Sequence, residues 1–119
     1  MDIKEIIQQG ETKYVEFKSW IKVNKKELMN ILTNEAVGFA NADGGIILVG
    51  VEDGGEITGC NNYDEQNIIE SIYDKTVPNL FTDIEVLKIN DKDILKITVQ
   101  KSTDIIAELF AMYWFSRLD

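Results

Sequence analysis

The stretch that decides the fold is Phe39-Ala40-Asn41-Ala42-Asp43-Gly44-Gly45-Ile46-Ile47-Leu48-Val49-Gly50-Val51-Glu52-Asp53-Gly54-Gly55. An amphipathic run closes on a glycine pair, an uninterrupted apolar strand follows, and an acidic, glycine-rich turn ends it. Gly44 can take the positive φ that terminates a helix, and Gly54-Gly55 can make the tight reversal of a hairpin. Ile46 to Val51 shows no alternation of apolar with polar residues, so it reads as a central strand covered on both faces. Gly50 inside it marks a bulge, a close approach of another backbone or ligand, or a small residue packing beneath a helix.

Upstream of this stretch, Asn24 with Glu27 three positions later fits a capping box. Leu28, Ile31, Leu32, Glu35/Ala36, Phe39 and Ala40 then continue one face of a helix from about Lys25 to Ala42. Gly38 costs about 1 kcal/mol relative to alanine there, which suggests tight helix-to-sheet packing. Further back, Tyr14-Val15-Glu16-Phe17-Lys18 alternates as a half-exposed strand, with Val15 and Phe17 inward and Glu16 and Lys18 outward. Ile3, Ile6 and Ile7 make a short amphipathic helix ended by Gly10.

Downstream, Glu56 to Cys60 reads as the returning strand of the hairpin. Asn62 with Glu65 repeats the capping signature for a second helix carrying Ile68, Ile69, Ile72, Tyr73 and Val77, stopped by Pro78. Asp83 to Ile89 and Ile94 to Gln100 are two antiparallel strands joined through Asn90-Asp91-Lys92-Asp93. Ile105 to Leu118 is apolar nearly all round, a buried helix, a surface for homo-oligomer formation, or a remnant of a longer protein. The expected fold is therefore α+β: a mixed, largely antiparallel sheet of about five strands with two main helices on it, a short N-terminal helix and an apolar C-terminal helix.

The chain has 119 residues and no histidine, and its one cysteine is Cys60. Histidine-based triads, His-ligated zinc and internal disulfides are thereby excluded, leaving Asp, Glu, Lys, Tyr and an oxygen-ligated metal for any chemistry. No apolar run is long enough for a bilayer and Met1 to Gln9 is charged and polar, so a cytoplasmic protein with no membrane partner is expected. The net charge is −9, which opposes coating of nucleic acid through an overall field. Yet Met1 to Asn30 holds six lysines against five acids, a basic front on an acidic body.

Two patches carry a resemblance. Gly10-Glu11-Thr12-Lys13-Tyr14-Val15-Glu16-Phe17-Lys18, and Phe39-Ala40-Asn41 through Gly44-Gly45 to Gly50-Val51-Glu52-Asp53 and Gly59, are similar to the two signatures of the Schlafen AlbA-type (AlbA_2) domain. That module occurs in bacterial and archaeal transcriptional regulators. The resemblance covers about Ile3 to Gln100, giving a domain over residues 1–100 and a departing apolar tail over 101–119. It implies a sheet with helices packed on it and a nucleic-acid-binding role, with DNA a better partner than RNA and no cofactor needed.

For binding, the candidate surface is Lys13, Lys18, Lys22, Lys25 and Lys26 with Trp20 and Asn41. Lysines would meet phosphates, and Trp20 would either stack on a base or form a lid over the core. Animal Schlafen relatives include metal-dependent endoribonucleases, and the resemblance carries their carboxylates onto Glu11, Glu16 and Asp53, with Mg²⁺ or Mn²⁺ as the ion. In that alternative Lys18 neutralises the phosphate. A fully extended Glu11 to Glu16 would separate the two Cα atoms by about 16 Å, so a turn before Tyr14 is required. Binding without chemistry is the favoured reading; a protein-interaction or oligomerisation module is the third.

Overall fold

The computed structural model describes residues 2–109. Helix α1 spans Ile3–Gln9, capped by the Asp2 carboxylate, which accepts from the amides of Lys4 and Glu5, and closed at Gly10. Strand β1 is Val15–Lys18, helix α2 Lys25–Asn41 and strand β2 Gly45–Val49. Helix α3 is Glu65–Asp74, followed by β3 (Thr76–Val77), β4 (Asp83–Ile89), β5 (Lys92–Val99) and β6 (Ala107–Glu108). Among the described residues no helix is long and apolar enough to cross a membrane.

The main sheet has the order β1-β2-β5-β4, and β3 pairs with β6 as a separate ribbon. β1 runs parallel to β2 with Val15 opposite Ile46 and Lys18 opposite Val49, so β1, α2 and β2 form a parallel crossover unit. The other two pairings are antiparallel, and the architecture is the expected α+β with a mixed sheet. β2 and β5 are central, and both faces of β2 are covered. Ile47, Val49, Leu95, Ile97 and Val99 pack beneath α2 and α3, against Leu28, Leu32, Ala36, Ile68 and Ile72. Phe17, Leu48, Val51, Ile89 and Ile94 fill the opposite face, which α1 closes with Ile7.

Helix α2 begins at Asn24, whose side chain accepts from the amide of Glu27 at 2.8 Å. It stops where Gly44, at φ +80°, sends its amide back to the Phe39 carbonyl at 2.8 Å. Gly50, at φ +100°, shows the close backbone approach: a side chain there would meet Gly59 and the Cys60 sulfur at 3.1 Å. The Asn90-Asp91 turn between β4 and β5 has both residues at positive φ, 52° and 62°, the geometry of a tight hairpin that continues the strands' twist.

Five expectations change. Glu56 to Cys60 forms no returning strand, only the bridges Val51–Ile57 and Cys60–Asp93, because the Gly50 carbonyl accepts from Thr58 and Gly59 and curls the segment across to β5. Helix α3 is capped by Asp64, which accepts from Asn67 at 3.1 Å, while Asn62 takes φ 50° and cannot cap. α3 ends before Val77 because Thr76 and Val77 pair with Glu108 and Ala107. That pairing also makes the described start of the apolar tail a strand rather than a helix; residues 110–118 of the expected helix lie outside the described residues. Gly38 has open space around it, with no atom within 4 Å of where a Cβ would stand, so tight packing does not explain it.

Candidate nucleic-acid interface

The loop from β1 to α2 carries Lys22, and Lys25 and Lys26 follow it in the first turn of α2. Ser19 Oγ accepts from the amides of Ile21 at 3.3 Å and Lys22 at 3.2 Å, a local turn that competes with any helical start. Trp20 is inside, 4 % exposed, with its Nε1 donating to Asn61 Oδ1 at 3.1 Å and its ring edge-on to Tyr63. Lys25 covers the indole, its Nζ 3.7 Å from the ring centroid and donating to the Trp20 carbonyl at 2.7 Å. Trp20 is thus the lid over the core, and its faces are not offered to a base. Lys22 reaches Glu52 Oε1 at 3.0 Å, and Lys26 stands exposed in the first turn of α2.

Lys13 lies on the turn before β1, over the Tyr14 ring at 5.0 Å. Lys18 is committed to Glu35 of α2 at 3.2 Å rather than to Glu16. Asn41 is not a free polar contact. Its Nδ2 donates to the Ile106 carbonyl at 2.9 Å and its Oδ1 accepts from the Ile106 amide at 2.7 Å, so both ends of the amide clamp the chain on its way into β6.

The turn demanded between Glu11 and Glu16 exists. Thr12 and Val15 exchange backbone hydrogen bonds at 3.0 and 3.3 Å, and Glu11 doubles back so that its carboxylate accepts from the Phe17 amide at 3.4 Å. Glu16 is pushed up to about 7 by burial first, then by a hydrogen bond with Glu11 and the negative charges of Glu35 and Glu11, with Lys18 opposing. Glu35 is the residue that sequence reading missed as a member of this group. It sits on the apolar face of α2, where a lone glutamate among Leu32, Ala36 and Phe39 was the available signal.

Asp53 does not join them. It is exposed beyond the C-terminal end of β2, where its charge acts on Lys22 together with that of Glu56. Among the described residues no three Asp, Glu or Cys side chains gather as metal ligands. Glu11, Glu16 and Asp53 therefore do not fit a shared Mg²⁺ or Mn²⁺ in this arrangement.

Glu52 is the other buried acid, 6 % exposed. Burial pushes its carboxyl up, yet hydrogen bonds from Thr58, Lys22 and Ser19 outweigh that and hold it below the usual range. It thereby ties the β1–α2 loop to the loop after β2.

The chain shares its fold with two solved structures. One is the DIP2311 protein from Corynebacterium diphtheriae, with a TM-score of 0.73 and 21 % identity over 89 % of this chain. The other is the N-terminal domain of a RecG-related protein from Nitrosomonas europaea, named for an ATP-dependent DNA helicase, with a TM-score of 0.58 and 17 % identity over 89 % of this chain and 77 % of that domain. The chain spans 22 % of the length of the Corynebacterium protein. No curated protein matches it. The family model for Schlafen, AlbA_2 matches residues 11–113, and the chain belongs to that family.

Proposed function

We propose that this Schlafen AlbA_2 domain is a nucleic-acid-binding module of a transcriptional regulator, with DNA preferred to RNA. The observation that carries the reading is the β1–α2 loop, held by Ser19, Trp20 and the Lys22–Glu52 pair, with Lys22, Lys25 and Lys26 on it and on the first turn of α2. A preorganised basic loop meets phosphates without a further ordering cost. Family membership and the likeness to a domain of a RecG-related protein add support. The remaining acidic surface keeps affinity low and strongly salt-dependent.

The test is a mobility shift of labelled duplex DNA and structured RNA at low and moderate salt, with Mn²⁺ or chelator. Lys22→Ala/Lys26→Ala should weaken binding and lower the salt slope by about 2 on duplex DNA. A wild-type protein that shifts neither nucleic acid would sink the proposal. Mn²⁺-dependent cutting lost in Glu16→Ala would replace it with the nuclease reading.

A further inference from the structure

Beside the β1–α2 loop lies a groove of about 280 Å³ that reaches the β4–β5 turn. Ile21 stands on one wall, 61 % exposed on a loop fixed through Ser19, Trp20 and Lys22. Gly59 is part of the lining, and the stem of Lys92 packs so closely on it that a Cβ there would come within 2.9 Å. Asn61 also lines it; its Oδ1 is taken by Trp20 Nε1, which leaves the amide NH₂ to donate.

Lys88 and Lys92 supply the basic part of the lining. Lys92 Nζ donates to the neutral Ile57 carbonyl at 3.2 Å, and among the described residues it forms no salt bridge. Lys88 is 3.3 Å from Asp93, which also accepts from the Tyr63 hydroxyl at 2.8 Å. Asp93 is thereby held below the ordinary carboxyl range by Tyr63 and Lys88. Asp91 lies in the turn itself.

We propose that this groove seats one unstacked nucleotide of a single-stranded segment; the proposal rests on the nucleic-acid-binding reading above. Ile21 offers apolar contact to a base face, the Asn61 amide a donor to a base edge, and Lys88 and Lys92 ammonium groups to the flanking phosphates. In a duplex the base faces are stacked away, and a single fixed isoleucine over a groove of this size has nothing to cover.

The experiment is fluorescence anisotropy of the full chain with a short labelled oligothymidine and with a blunt duplex carrying the same label, across a salt series. Ile21→Ala should weaken oligothymidine binding about fivefold or more and duplex binding much less. Lys88→Ala/Lys92→Ala should lower the single-strand salt slope by about 1.4, and the Lys→Arg pair should retain it. Circular dichroism melts confirm that each variant is folded. Equal losses on both probes, or no loss, overturn the groove assignment while the wild-type shift preserves the binding function. Wild-type protein that binds neither probe removes both.

Discussion

Lys22 Nζ lies 3.0 Å from Glu52 Oε1, and the two ends of that pair differ sharply in setting, the lysine two-thirds exposed and the glutamate buried. The lysine anchors the loop that leaves β1, and the glutamate the loop that leaves β2. Since β1 and β2 are parallel, both loops emerge at the same end of the sheet, and the pair joins them there.

Glu52→Ala leaves the Thr58 hydroxyl without its carboxylate partner and releases Lys22 and Ser19. We expect a loss of about 1–3 kcal/mol in urea titrations, with a larger fall in nucleic-acid affinity than Lys22→Ala alone produces. A carboxyl held below its unfolded value contributes stability above that value and loses it as pH falls through the folded one. The difference between wild type and Glu52→Gln should therefore shrink in acid.

Glu16 has the opposite sign. Its carboxyl is raised from 4.5 to about 7, so the folded state holds the proton more tightly than the unfolded one. Stability then declines as pH rises from 4.5 to 7 and is flat beyond. Glu16→Gln should flatten that decline and exceed wild type at pH 8 by about 1–2 kcal/mol, allowing for partial exposure. A wild-type protein no less stable at pH 8 than at pH 5, relative to the variant, would refute the carboxylate crowding.

Gly50→Ala forces a side chain into φ +100° and against Gly59 and Cys60. We expect a cost of about 1–3 kcal/mol, read as a lowered midpoint in thermal melts. Gly54→Ala is the control, since no atom lies within 4 Å of its Cβ direction.

Asn41→Ala removes both hydrogen bonds to Ile106. A global loss of about 1–3 kcal/mol is expected. Hydrogen exchange at Leu109, whose amide bonds to the Lys75 carbonyl at 2.9 Å, should accelerate more than exchange in β5. An Asn41→Asp variant keeps the acceptor for the Ile106 amide and should lose less.

Helices α1, α2 and α3, strands β1, β2, β4 and β5, their order along the chain and a turn within Asn90 to Asp93 were determined by the sequence itself, while the two-residue form of that turn was not. Apolar periodicity, capping residues and glycine positions act over a few neighbours, and those signals survive without a fold. The need for a turn between Glu11 and Tyr14 followed from strand length in the same way. What only tertiary structure decided was who meets whom. The parallel pairing of β1 with β2 put Lys18 beside Glu35 and left Asp53 at the other end from Glu16. The capture of Thr76-Val77 by β6 shortened α3 against its own periodicity. Burial of Trp20 and the double clamp of Asn41 on Ile106 turned two candidate ligand contacts into structural ones. A side chain's periodicity shows which face it takes, but its partner is set by elements distant in the chain, whose approach is fixed by packing the two faces of β2.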